Sequence, residues 1–146
     1  MTIRIQKLRD NAHLPAYQSP LAAGADLYAA LEEPITLAPM DRVLVPTGIA
    51  AQPEEEDCVL LIAARSGLAV KKGVTLSNGI GVVDADYRGE ICVGLVNLGK
   101  EAVTIAPGER IAQLLVMPIL RAVFAEADTL EDTERGAGGF GHTGTK

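Results

Sequence analysis

No stretch of this chain keeps apolar residues at helical spacing for a dozen positions, and nothing else in it limits the fold so tightly. The apolar residues come instead in short runs rich in Val, Ile and Leu, at 2–8, 35–37, 42–50, 58–64, 80–83, 91–97, 102–105, 110–117 and 119–125. Most neighbouring runs are separated by Pro or Gly. Runs of that length and composition are strands, and many short strands between turns make a sandwich, jelly roll or barrel. The expectation is an all-β chain with one short helix near residues 66–72, stopped by Gly73. With 146 residues, 48% of them apolar, one domain can bury a core without disulfides or metal. That core must be aliphatic, because the chain has no Trp, two Phe and three Tyr.

Thirteen basic against nineteen acidic side chains give a net charge of −6. Such a surface repels a phosphate backbone, so nucleic acid is not expected as a partner. A small phosphorylated ligand stays open, since a local Arg cluster reverses the sign within a cleft. Cys58 and Cys92 stand apart, without metal-ligand spacing, and read as small apolar residues of a reduced compartment. His13 and His142 belong to no His-Cys cluster, which speaks against structural zinc. The N-terminus has no secretory apolar stretch and no segment approaches about 18 apolar residues, so no membrane partner and a cytoplasmic location are expected.

Two segments resemble each other, ITLAPMDRV at 35–43 and VTIAPGERI at 103–111. Each is a strand, an Ala-Pro turn and an acid-Arg pair opening the next strand. They are candidates for matching parts of pseudo-symmetric sheet halves, although such turns are common in β proteins. Beyond a body at 1–125, the composition changes. Residues 126–134 are an acidic linker, and 135–146 carry glycine at 136, 138, 139, 141 and 144. Ordering such a tail costs backbone entropy. It is either a solubilising spacer or a lid that closes over an anionic, aromatic ligand, and Arg135 with Phe140 favours the lid.

Four further segments carry chemistry. Arg65-Ser66-Gly67-Leu68-Ala69 follows a buried strand and opens the helix, where Ser66 serves as a cap or a phosphate contact and Arg65 as a bidentate donor. Residues 78–91, from Asn78-Gly79 to Arg88-Gly89 and beyond, are expected to form a projecting hairpin whose backbone reads the edge of a planar base. Asp84 emerges there from an apolar run, placed to act as a general base on water, and Tyr87 offers a flat face to a sugar. A solvated polar turn is the plainer alternative. AGADLYA at 23–29 and GERIAQL at 108–114 are weak alone: Asp26 could be a turn residue, and Gln113 an outward strand position.

In this order and spacing, the five segments, with RGAGGFGHTG at 135–144 the last, resemble the signature motifs of the homotrimeric dUTPases, the deoxyuridine triphosphate nucleotidohydrolases. One departure is His142, where the family's tail usually has Ser or Thr. The resemblance implies a jelly-roll-like β-clip fold and a homotrimer with active sites shared between subunits. It implies cleavage of dUTP to dUMP and pyrophosphate, which keeps uracil out of DNA and supplies dUMP for thymidylate synthesis. It implies Mg²⁺ carried mainly on the triphosphate, with Asp26 reaching it through water or, alternatively, pairing with Arg110. Asp84 would deprotonate the attacking water. Arg65, Ser66, the Gly67 amide and Gln113 would hold the phosphates, joined by Arg135, Gly141 and His142 from the tail. Asn78, the backbone at Val82 and Val83, and Cys92 would read uracil, with Tyr87 beneath the deoxyribose and Phe140 stacked on the base. A dCTP deaminase of the same fold and a nucleotide-sensing module without catalysis are the rival readings.

Overall fold

The computed structural model describes residues 1–139; Phe140, Gly141 and His142 lie outside the described residues. Eleven strands and one helix follow in chain order: β1 (Ile3–Lys7), β2 (Ala25–Tyr28), β3 (Ile35–Leu37), β4 (Arg42–Pro46), β5 (Ile49–Pro53) and β6 (Cys58–Ala64), then α1 (Ser66–Lys72). The chain continues through β7 (Val74–Leu76), β8 (Gly81–Asp84), β9 (Cys92–Asn97), β10 (Val103–Ile105) and β11 (Arg110–Pro118). Four open antiparallel sheets result, ordered β2-β11-β6-β8, β4-β9-β7, β1-β5 and β3-β10. None closes into a barrel; the all-β architecture expected from the short runs forms, and it is the jelly-roll type that the resemblance implies.

The strands alternate buried and partly exposed positions, as Cys58–Ala64 does, so one face of each sheet packs inward. Leu27, Leu37, Ile49, Leu60, Leu95 and Ile111 are among the fully buried side chains, and no aromatic among the described residues joins them. Each such side chain contributes about 1.5–3 kcal/mol by leaving water. Helix α1 ends where Gly73 adopts φ 75°, its N–H donating to Ala69 O at 3.1 Å. A Cβ there would fall 2.5 Å from the Gly99 nitrogen, so only glycine fits. The helix begins differently from expectation. Arg65, not Ser66, is the extended N-cap residue, and its side chain makes no cap bond because it is turned toward β2 and β11.

The two similar segments prove to be partners. β3 and β10 pair with Thr36 opposite Thr104, whose hydroxyls meet at 2.8 Å. The turns after them carry the same bond from alanine N–H to the carboxylate three residues on: Ala38 N–H donates to Asp41 Oδ2 at 2.8 Å and Ala106 N–H to Glu109 Oε2 at 2.9 Å. Both have a positive φ two residues after the alanine, 70° at Met40 and 72° at Gly108.

Three sequence expectations are corrected. The run 42–50 is two strands, because Gly48 at φ 71° turns the chain between β4 and β5. Residues 78–91 are not a hairpin: β8 pairs with β6, while β7 and β9 lie in the other large sheet, since successive strands here alternate between sheets. Residues 119–125 are not a strand. Ile119 N–H still reaches Asp57 O at 3.1 Å, and beyond it Leu120, Val123 and Phe124 stand at least 95% exposed, with no strand beside them to pair.

Candidate active site

The ladder β2-β11-β6 sets Asp26, Gln113 and Ala63 side by side, since Gln113 is opposite Asp26 on one flank and Ala63 on the other. Directly opposed residues share a face, and Ala63 is small enough to leave that face open. Asp26 is 1% exposed, a burial that a carboxylate tolerates only when its charge is matched. Arg65 Nε donates to Oδ1 at 3.0 Å, Arg110 Nη1 to Oδ2 at 3.1 Å, and Gln113 Nε2 lies 3.5 Å from Oδ1. Arg65 Nη1 also donates to the Arg110 carbonyl at 3.0 Å. Of the two roles open to Asp26, this geometry is that of the pairing with Arg110, extended to Arg65. Two guanidinium groups around one carboxylate leave a net positive charge in an otherwise acidic chain. Ser66 and Gly67 sit exposed beside it, and a Cβ on Gly67 would meet nothing within 4 Å. This end of β6 is therefore suited to an anion.

The other end of β6 is different. Val59 is opposite Asp84 and Ile62 opposite Gly81, so β8 delivers Asp84 to the start of β6. Gly81 lies flat on its neighbour, where a Cβ would stand 2.8 Å from Ile62 Cβ. A cleft of about 310 Å³ opens here, lined by Leu44, Val82, Val83, Asp84, Tyr87, Glu90, Ile91 and Cys92. Asp84 is exposed and also edges a polar recess with Asp86, Arg88 and Arg121. Tyr87 N–H donates to Asp84 O at 3.1 Å, which closes the turn between the acid and the ring. Cys92 is only partly buried, and burial, foremost, with the nearby Glu90 charge pushes its thiol above the ordinary value. It faces the cleft as a neutral S–H, a departure from the buried apolar role expected of it. Asn78 stands exposed in the turn before β8 and does not line the cleft.

One chain does not bring these two ends together. Arg65 is six residues beyond Val59, and at strand rise that is about 20 Å. The base-sized cleft and the cationic end of β6 therefore lie at opposite ends of one strand. Arg135 joins neither; its Nε donates to Gly138 O at 2.9 Å within its own exposed turn. The wide apolar groove of about 560 Å³ against β1 offers little chemistry, since Tyr17 supplies the one polar side chain there. Sequence reasoning missed Arg9 and the role of Glu90. Arg9 grips Glu90 across 81 positions, holding that carboxyl below its usual range and raising its own pKa, and no local pattern signals such a pair.

A family model described as dUTPase matches residues 10–144. The chain belongs to the dUTPase family. The deoxyuridine 5'-triphosphate nucleotidohydrolase of Xanthomonas campestris pv. campestris strain B100 is 50% identical over 133 residues, covering 91% of this chain and 88% of that relative. That of Xanthomonas oryzae pv. oryzae strain MAFF 311018 shares the same identity and covers 86% of its length. Among solved structures, a mutant dUTPase of Staphylococcus bacteriophage 80alpha with dUpNHpp superposes with a TM-score of 0.89 at 26% identity, over 99% of each chain. The present chain thus shares the all-β body of the 80alpha dUTPase over nearly its full length. No helix among the described residues is long and apolar enough to cross a membrane.

Proposed function

We propose that this chain hydrolyses dUTP to dUMP and pyrophosphate, in sites each completed by several copies of the chain in a homotrimer. The observation that carries the reading is Asp84, an exposed carboxylate at the lip of a base-sized cleft, about 20 Å from the cationic end of its own β6. Family membership supplies the substrate: relatives at 50% identity are deoxyuridine triphosphate nucleotidohydrolases, and an 80alpha neighbour holds dUpNHpp.

On this reading uracil enters the cleft, its edge met by the backbone of Val82 and Val83 and by Cys92, while Asn78 approaches from the turn before β8, outside the cleft lining. Unpaired buried polar groups are costly, so a fixed set of donors and acceptors rejects cytosine, and a narrow cleft leaves no space for thymine's methyl. Tyr87 underlies the deoxyribose, where a 2′-hydroxyl would collide. Arg65, Ser66, the Gly67 amide and Gln113 of a neighbouring copy hold the phosphates in line. Arg135 reaches the γ-phosphate, Phe140 covers the base, and Gly141 and His142 add contacts to the phosphates. Asp84 takes a proton as water oxygen bonds to the α-phosphorus; the bond from that phosphorus to the bridging oxygen breaks, and pyrophosphate leaves with the electron pair.

The residues fit Mg²⁺ as part of the substrate rather than as a protein-caged ion. Among the described residues no three His, Cys, Asp or Glu side chains converge, and both oxygens of Asp26 are taken by Arg65 and Arg110. Magnesium held by phosphates and water needs no such cage, and it offsets charge on the triphosphate.

Asp84→Asn tests the reading. Equilibrium binding of dUTP should persist while pyrophosphate release falls by at least about 10²–10⁴-fold, the usual yield of a positioned base. Turnover at the wild-type rate would remove Asp84 from the mechanism. A panel of dUTP, dTTP, dCTP and UTP should show release from dUTP above all, and ammonia release from dCTP would mark a deaminase instead.

A further inference from the structure

Tyr87 sits in the loop at 85–91 between β8 and β9, which has no strand or helix of its own. Tyr87 as a whole is 46% exposed, so packing against the core does not fix it. Its two visible constraints come from the loop itself. Tyr87 Oη donates to the Glu90 carbonyl at 3.1 Å, and the ring lies so close on Gly89 that any Cβ there would overlap it. Arg88 binds only inside the loop, Nη1 donating to Ala85 O and Tyr87 O at 2.7 and 3.0 Å. Among the described residues, the loop's charged tie to the body is Glu90, beside Ile91, whose buried side chain and N–H, donating to Ile49 O at 2.8 Å, anchor the β9 end of the loop. The Glu90 carboxylate accepts Arg9 Nε at 2.7 Å and Arg9 Nη2 at 3.0 Å in a bidentate fork, and the Gly48 N–H at 2.9 Å. Arg9 follows β1 and Gly48 precedes β5, so both anchors belong to the paired β1-β5 unit.

The geometry points to the Arg9–Glu90 pair as a positioning device that sets the discrimination between deoxyribose and ribose by fixing Tyr87. This rests on the reading that Tyr87 underlies the sugar. Rejecting one hydroxyl by contact requires the ring to hold its place, since a shift of about 1 Å is enough to change rates about a hundredfold. Ile91 holds only the β9 end of the loop, so the stretch that carries Tyr87 loses registration when the bidentate, charge-assisted contact of Glu90 is cut. Glu90 lines the cleft, but its carboxylate is engaged by Arg9 and Gly48, and in this role it acts through Tyr87 and Gly89.

The test compares kcat/KM for dUTP and UTP, with thermal melts, in the wild type, Glu90→Ala, Glu90→Gln, Arg9→Met and Tyr87→Ala. Glu90→Ala and Arg9→Met should narrow the dUTP-to-UTP ratio by about tenfold, the scale of one charge-assisted hydrogen bond. The narrowing should come chiefly through a lower KM for UTP. Glu90→Gln keeps one oxygen to accept from Gly48 and Arg9 Nε but turns an amide NH2 toward Arg9 Nη2, so it should recover part of the ratio. Tyr87→Ala should narrow it at least as far. Arg9→Met keeps the proposal testable should Glu90→Ala fold poorly, because it leaves the Gly48 contact in place. An unchanged ratio in Arg9→Met and Glu90→Ala, whatever their melting points, would overturn the device while a narrowed ratio in Tyr87→Ala left the Tyr87 reading standing. An unchanged ratio in Tyr87→Ala would overturn both.

Discussion

Two inactive variants of this protein should restore each other when assembled together. Asp84→Asn removes the acid at one end of β6, and Arg65→Gln removes a cation at the other while keeping a donor for the buried Asp26. Their positions, about 20 Å apart in one copy, place them in different halves of any site. If each site takes Arg65 from one copy and Asp84 from a neighbour, it is intact when the first copy is the Asp84→Asn chain and the second the Arg65→Gln chain. Random closed assembly from an equal mixture then yields about one intact site in four. Pyrophosphate release should recover to about a quarter of the wild-type kcat per chain with an unchanged KM, since each recovered site has its full set of residues. Recovery should follow a parabola in the mixing ratio and vanish at both ends. The assay is steady-state turnover after co-refolding, with a tagged and an untagged chain shown to co-purify. No recovery at any ratio in demonstrably mixed assemblies would refute the shared site, because a site made within one copy predicts none.

Met40 holds φ 70° on the surface where its counterpart is Gly108. Replacing it with glycine relieves roughly 1–2 kcal/mol of left-handed strain against about 0.5–1 kcal/mol of added chain entropy. Met40→Gly should therefore raise the melting temperature by about 1–4 °C. The Glu90 carboxyl is depressed by the hydrogen bonds and charge of Arg9 and by the Gly48 amide, against burial. A depressed acid stabilises the fold above the ordinary carboxylate value and loses that contribution as the pH falls through its folded value. Melts of wild type against Glu90→Gln should accordingly differ most at neutral pH and converge in acid, with Arg9, Glu32 and Cys92 as the neighbouring titratable groups. Deleting residues 135–146 removes no described bond to the body, so unfolding free energy should change by less than about 0.5 kcal/mol. Turnover of dUTP should still fall about a hundredfold if the tail closes over the site, as fluorogenic pyrophosphate detection would show.

The short aliphatic runs exposed the strands because β-branched residues and Pro-Gly punctuation are local signals. Gly73 likewise marked the helix stop, since only glycine accepts that backbone. What lay beyond reach were choices made between distant residues. Val82 and Val83 looked like one arm of a hairpin, because sequence neighbours usually pair, yet β8 crosses to β6. Residues 119–125 have strand composition, but a strand also needs an edge to pair with, and none is beside them in one copy. Asp26 was legible as a motif residue and as a candidate partner of Arg110, but not as a buried hub that also takes Arg65 from 39 positions away. The weak segment 25–28 became a strand for the same reason, through its pairing with β11.

Gly81 gives the lineage of this protein an inflexible point. Any L side chain there would meet the β-carbon of Ile62, and trimming Ile62 to valine or alanine leaves that atom where it is. Neutral drift has no compensating partner to recruit, so missense changes in that codon should surface as heat-sensitive alleles in which the strand bearing Asp84 lifts from the sheet.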